Sequence, residues 1–198
     1  MPRADDVRVA YPLFQEEGGG SIPTSALCAS DLLFERCDKQ VAVRLVRLWH
    51  SRLPIVQRGP WQFAFSAGHN GIIYAVALWH NPATRSLPSH YLDLRRLAAS
   101  PDSPKNTCSR FMGWMVRYFK RNYPEREKCI SYQDTEAHIG TIYRAAGWTP
   151  TYLGNKRQRD RTKKRAGTHR GYRWSSNGLE ADAAPKKRWE IDLTKRRK

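Results

Sequence analysis

Acidic residues are scarce. The 198-residue chain holds 18 Asp+Glu against 35 Lys+Arg, a formal charge of +17 with His neutral. That imbalance excludes an indifferent surface and points to a polyanionic partner: nucleic acid, an acidic membrane face or a phosphorylated cofactor. Long apolar runs are missing as well. The longest, Ile72 to Trp79, has eight residues, against the ~20 that cross a bilayer, so no membrane span is expected. Met1-Pro2-Arg3-Ala4-Asp5-Asp6 lacks the apolar core of a signal peptide. The four cysteines (Cys28, Cys37, Cys108, Cys129) are irregularly spaced and form no CxxC pair, which argues against a zinc ribbon. Reduced thiols and a cytoplasmic location are the expectation. No internal repeat is present.

The charge is uneven. Residues 1–155 hold 19 Lys+Arg and 13 Asp+Glu, a net of +6, whereas residues 156–198 hold 16 and 5, a net of +11. A composition boundary therefore falls near Asn155. Residues 1–26, with Gly18-Gly19-Gly20 and Pro23, read as an arm. Residues 27–155 read as one domain, and 156–198 as a basic tail.

Within the domain the apolar period identifies the elements. Val41, Leu45, Leu48 and Trp49 make a helical face between Asp38 and Arg52, with Pro54 beyond it. Trp61, Phe63 and Phe65 alternate with Gln62, Ala64 and Ser66, and Asn70-Gly71 is a hairpin turn. Ile72 to Trp79 is the return strand, apolar enough to be buried on both faces. Tyr91 to Ala99 is a third strand. Phe111, Met112, Met115, Val116 and Phe119 form the stripe of a strong helix, which Asn106 or Thr107 would cap. A strand at 128–133, a helix at 137–146 closed by Gly147 and a strand at 148–153 follow. The expected fold is α/β, a mixed central sheet flanked by helices. In such sheets a ligand sits at the carboxyl ends of strands, beside a helix N-terminus.

One such junction is conspicuous. Strand 91–99 runs through the loop at 100–105 into the helix from Asn106, with Lys105 and Arg110 flanking the helix start. Backbone amides and the macrodipole there suit a phosphate. A capped helix with no ligand is the plainer reading.

The run Tyr91-Leu92-Asp93-Leu94-Arg95-Arg96-Leu97, followed by Pro104-Lys105-Asn106-Thr107-Cys108-Ser109-Arg110-Phe111, resembles the central strand–loop–helix of the GNAT acyltransferase superfamily. Ile142-Tyr143-Arg144-Ala145-Ala146-Gly147-Trp148 resembles a second GNAT segment, whose tyrosine protonates a departing thiolate. The resemblance implies a GNAT-like sheet, and Tyr143 as a general acid. It makes Lys105, Asn106, Thr107, Ser109 and Arg110 the residues around an acyl-CoA or related donor. Where the superfamily prefers glycines, Thr107 and Ser109 stand here; their side chains either displace the pyrophosphate or donate to it.

A narrower resemblance lies in PKNTCSRF, WHSRLP and SYQDTEAHIGTIYRAAGW. Together they are similar to the Mom family of phage DNA-modification proteins, over roughly residues 27–155. That family implies transfer of a carbamoylmethyl or related acyl-derived group to the exocyclic amine of adenine in phage DNA. The modified DNA would resist host restriction. By the same resemblance His50 occupies an active-site position, as a general base or a metal ligand. Its plain reading is a histidine at a helix C-terminus. Asp134 and His138, four residues apart across a strand–helix turn, can converge with His50. The three suit a proton relay or a divalent metal such as iron; Asp134 as a helix cap is the plain reading. For Arg96 the plain reading is an ion pair with an acid such as Asp134.

In the tail, Arg157, Arg159, Arg161, Lys163, Lys164, Arg165 and Trp174 combine basic clusters with an aromatic and suit double-stranded DNA. Trp189-Glu190-Ile191-Asp192-Leu193 alternates and reads as a short strand that docks on the domain. Two other functions remain open at this level: a GNAT N-acetyltransferase acting on a protein or RNA amine, and a nucleic-acid-binding protein without catalysis. Donor, metal, target sequence and oligomeric state are not specified by the residues.

Overall fold

The computed structural model describes residues 27–50, 61–82, 86–154 and 185–194. Its elements run β1 (Leu33–Arg36), α1 (Lys39–Trp49), β2 (Phe63–His69), β3 (Ile72–His80), β4 (Tyr91–Ala99), α2 (Thr107–Asn122), β5 (Lys128–Asp134), α3 (Thr141–Ala145), β6 (Thr149–Leu153) and β7 (Lys186–Asp192). They build one seven-stranded sheet of order β1-β2-β3-β4-β5-β7-β6. Only β4 and β5 run parallel; the other neighbours are antiparallel. Among the described residues no helix is long and apolar enough to cross a membrane.

Local chemistry explains most of the elements. The Asp38 carboxylate accepts from the amides of Gln40 and Val41 at 2.7 and 3.1 Å and starts α1. Asn70 and Gly71, at φ 48° and 80°, turn β2 into β3. The period-two pattern sorts side chains between the two faces. Phe63, Phe65, Ala75, Ala77, Trp79, Leu92 and Leu94 pack against Phe111, Met112, Met115 and Phe119 of α2. Ala64, Val76, Leu78 and Ala98 pack against Ala42, Leu45 and Val46 of α1.

Several expectations are corrected. β1 was not legible, because its burial does not alternate. The last helix does not begin at Ala137. Residues 135–140 form a turn, in which the Asp134 carboxylate accepts from the Glu136 amide at 3.1 Å, and α3 starts after Gly140. Asn106 does not cap α2 through its side chain: it sits at φ 68°, a left-handed conformation from which its amide makes no cap bond. Side-chain capping needs extended geometry at that position.

The composition boundary at Asn155 does not bound the sheet. β7 lies between β5 and β6, pairing with β5 from Lys128↔Asp192 to Asp134↔Lys186. Lys186, Lys187 and Arg188 are thus sheet residues, and Trp189 is core, 1% exposed.

Candidate active site

β4 and β5 pair only from Tyr91↔Lys128 to Leu94↔Ser131. Both strands continue, to Ala99 and Asp134, so they part beyond that point. The Ser131 hydroxyl closes the apex. It donates to the Leu94 carbonyl at 3.0 Å and shares a 3.1 Å hydrogen bond with the Tyr143 hydroxyl. α2 begins at this same end of the sheet, where its first amides lack intrahelical acceptors.

A bulge decides which β4 side chains meet. Trp79 pairs with Leu94 and Leu78 with Arg96, leaving Arg95 as the extra residue. Asp93 and Arg96 are three apart, which in a regular strand means opposite faces. Here both fall on the α1 face, and Leu94 and Leu97 both fall on the α2 face. Arg96 stands beside Asp93 and His50. Asp134 binds Lys186 of β7 at 2.5 Å.

His50 is the C-cap of α1, its amide bonded to the Val46 carbonyl. Burial, the Arg96 charge and the His138 ring hold its pKa down at about 4. His138 is also shifted down, chiefly by partial burial, with Asp134 opposing and Lys186 reinforcing the shift. The His138 ring is near enough to oppose protonation of His50. Both are therefore neutral at physiological pH and able to accept a proton. Asp93 shows the opposite trend: burial lifts it to about 6, with Arg95 and Arg96 holding it back. Its Oδ2 lies 3.6 Å from Arg95, and its Oδ1 has no hydrogen-bond partner.

Tyr143 is buried and stays protonated, its pKa raised by burial against the Ser131 hydrogen bond, with the Asp93 charge adding to the rise. Its ring meets two others. His138 stacks on it at 6.1 Å and 20°, and Trp189 at 5.2 Å and 8°. Trp189 Nε1 donates to the Gln133 carbonyl oxygen at 2.7 Å, and Gln133 Nε2 donates to the backbone carbonyl of His138. One tryptophan therefore holds both the tyrosine ring and the histidine loop. Sequence reasoning gave no role to Ser131, Gln133 or Trp189. The only available signal was a bulky aromatic in the alternating run from Trp189 to Leu193.

The loop closes on Gly140, at φ 81°. A Cβ there would come within 2.6 Å of Gln133 Oε1 and 2.7 Å of the Trp189 ring. Gly140→Ala is expected to cost about 1–3 kcal/mol in backbone strain, read as a lower urea midpoint with unchanged slope.

Of the donor-loop residues, Thr107 is buried and its hydroxyl donates to the Pro104 carbonyl at 2.7 Å. The Ser109 hydroxyl donates to the Asn106 carbonyl at 3.1 Å. Both side chains are thus turned onto the loop's own backbone. Lys105 and Arg110 are exposed at the helix start. Among the described residues no group of three His, Cys, Asp or Glu is placed to hold a metal ion. His50, Asp134 and His138 are among the residues so described, and the Asp134 carboxylate accepts from Lys186 and the Glu136 amide. Arg157, Arg159, Arg161, Lys163, Lys164, Arg165 and Trp174 lie outside the described residues.

The sequence profile of the Mom protein family matches residues 31–196, from β1 through β7. The chain belongs to the Mom protein family. No curated protein matches it significantly. In fold, this Mom-family chain is similar to GNAT acetyltransferases. A Bacillus subtilis acetyltransferase in complex with CoA aligns at TM-score 0.55 and 12% identity, over 81% of this chain and 98% of the other. An alanine N-acetyltransferase of a ribosomal protein from Escherichia coli aligns at TM-score 0.53 and 9% identity, over 83% and 96%. A Salmonella typhimurium protein with its cofactor acetyl-CoA aligns at TM-score 0.55 and 9% identity, over 82% and 94%. At such identities the likeness establishes the GNAT fold for the Mom-family chain. The parting strands, and the helix that begins beside them, belong to that fold.

Proposed function

We propose that this chain is a transferase that adds a carbamoylmethyl or related acyl-derived group to the exocyclic amine of adenine in double-stranded DNA. What supports this reading is the state of His50. A half-buried imidazole beside an arginine and a second histidine, neutral down to about pH 4, is a base ready for an amine. The family membership supports the choice of adenine, and the formal charge of +17 suits a DNA substrate.

The chain fits an acyl-CoA-type donor. The parted strands leave an opening, and the α2 N-terminus with Lys105 and Arg110 suits its phosphates. Thr107 turns both its hydroxyl and its amide onto the Pro104 carbonyl, at 2.7 and 3.2 Å, so the residue packs inward. Such a donor would supply an acyl carbon and a thiolate leaving group, which accounts for an acyl-derived product; a carbamoylmethyl product would further take its amide nitrogen from a small-molecule amine. His50 takes the proton from the attacking adenine amine. Burial, with Arg96 beside it, keeps that ring neutral beforehand. Tyr143, protonated and oriented by Ser131, gives a proton to the departing group. His138 lies beside both. An adenine in a duplex reaches these groups only by leaving the stack. Once modified, it presents a bulky polar group in the major groove, where a restriction nuclease reads the base. Phage DNA carrying it would thus escape cleavage.

The test is expression of the full chain in bacteria, digestion of the DNA to nucleosides and mass spectrometry. Modified deoxyadenosine is the expected result. Unmodified adenine from cells containing abundant folded protein would overturn the reading; acetylated protein or RNA instead would favour an N-acetyltransferase. In the same assay Tyr143→Phe is expected to lower modification by about 100-fold or more. Stability should change by only about 1 kcal/mol, because Ser131 keeps its bond to Leu94.

A further inference from the structure

Ile139 is 75% exposed, the most exposed large apolar side chain among the described residues. Lone apolar residues on a surface are ordinary. What sets this one apart is its frame and its neighbours. The amides of Ala137 and His138 both donate to the Asp134 carbonyl, at 3.2 and 3.3 Å. Gln133 holds the His138 carbonyl, and the Gly140 amide donates to His138 Nδ1 at 3.3 Å. Arg144 donates to the carbonyl of Ile139 itself at 3.0 Å. Gly140 follows in a left-handed conformation that a side chain would not fit. The loop is bonded on both sides of Ile139, and a β-branched side chain is stiff at χ1. The result is a firm apolar projection next to His138, which stacks on Tyr143.

The loop's own charges balance, Arg144 and Lys186 against Asp134 and Glu136. Arg144 is exposed beside it, and Lys186 stands at Asp134; Glu136 is the exposed acid of the same loop. On a chain of formal charge +17, a firm apolar tip fits one partner well, duplex DNA, whose phosphates take the chain's excess positive charge and whose stacked bases take the tip. Proteins that unstack DNA insert Ile, Leu, Met or Phe between base steps in this way.

We infer that Ile139 is a wedge that enters the duplex and fills the space left by the target adenine as it swings out toward His50 and His138. This rests on the reading of the chain as a DNA adenine transferase. It assigns Ile139 a task separate from the chemistry: it opens paired substrate and has nothing to open in unpaired substrate.

The experiment compares full-length wild type, Ile139→Ser and Ile139→Leu on random-sequence DNA, once as duplex and once as single strands. Extract from the expressing bacterium supplies small molecules, and modified deoxyadenosine is counted by mass spectrometry. Ile139→Ser is expected to lose tenfold or more on duplex DNA and to stay within twofold of wild type on single strands. Ile139→Leu should restore the duplex reaction. Equal loss on both substrates, or no loss on either, overturns the wedge while leaving the transferase reading standing. Failure of wild type to modify either substrate overturns both.

Discussion

His50→Ala is expected to lower adenine modification about 100- to 10,000-fold, the usual contribution of a positioned general base. The protein should remain folded, because the ring is only half buried at the end of α1 and its backbone bond to Val46 does not need the imidazole. The measurement is modified deoxyadenosine per total deoxyadenosine, set against soluble protein and a melting curve. A variant that folds and retains full activity would remove His50 from the chemistry. Stability carries an independent signature of the same residue. The folded pKa of about 4 lies below the ordinary histidine value of 6.5, so the unfolded chain binds the proton first as the pH falls. His50 thus withdraws stability as the pH drops from about 6.5 to about 4, and has its full effect above that window. Asp93, lifted to about 6, works in the opposite direction over part of that range. The His50 contribution is therefore the difference between wild type and His50→Ala in urea midpoints taken from pH 7 down to pH 4. Equal pH dependence in the two proteins would contradict the buried, neutral imidazole.

Trp189→Ala is expected to cause the largest loss of stability, about 3–5 kcal/mol for removing a buried tryptophan from a packed core. The side chain is 1% exposed, stacks on Tyr143 at 5.2 Å and bonds Gln133 at 2.7 Å. Its removal leaves a cavity beside Tyr143 and takes away the donor to the Gln133 side chain that holds the His138 loop. Trp189→Phe separates the two effects. It keeps an aromatic ring against Tyr143 and removes the indole N–H, with a hydrogen-bond loss of about 1 kcal/mol. Urea denaturation reads the stability, and adenine modification by the better-folded Trp189→Phe reads the effect on the site. A Trp189→Ala protein as stable as wild type would mean that β7 is not packed in the sheet.

Much of the fold was legible because its elements announce themselves locally. The strand from Tyr91 to Ala99 appears at those bounds, and Asn70-Gly71 turns the hairpin as its chemistry requires. The stripe from Phe111 to Phe119 is the buried face of α2. The failures are also physical. β1 is a short edge strand with little burial to impose alternation. The turn at 135–140 replaces the first helical turn because Asp134 bonds the Glu136 amide and Gly140 turns left-handed. Asn106 takes the same left-handed conformation and so gives up its capping role. At the site, His50 was a candidate by resemblance to the Mom family, Tyr143 by resemblance to the GNAT superfamily, and His138 by its spacing from Asp134. Their electrostatic surroundings were not readable, because a pKa depends on burial and on charges distant in the chain.

The sequence by itself determined the order and type of most elements, the α/β class, the excess of positive charge and the motifs that carry the family resemblance. These are local or summed properties, read from neighbours in the chain. Tertiary structure alone decided that Arg95 bulges out, so that Asp93 and Arg96 share a face. It decided that β4 and β5 part beyond Leu94 and Ser131. It also placed β7 between β5 and β6 and set Trp189 against Tyr143, 46 positions away in the chain. Register, divergence and stacking of this kind arise between segments far apart in the chain. A period of two or of 3.6 residues records which side chains face inward, not which distant partner they will meet.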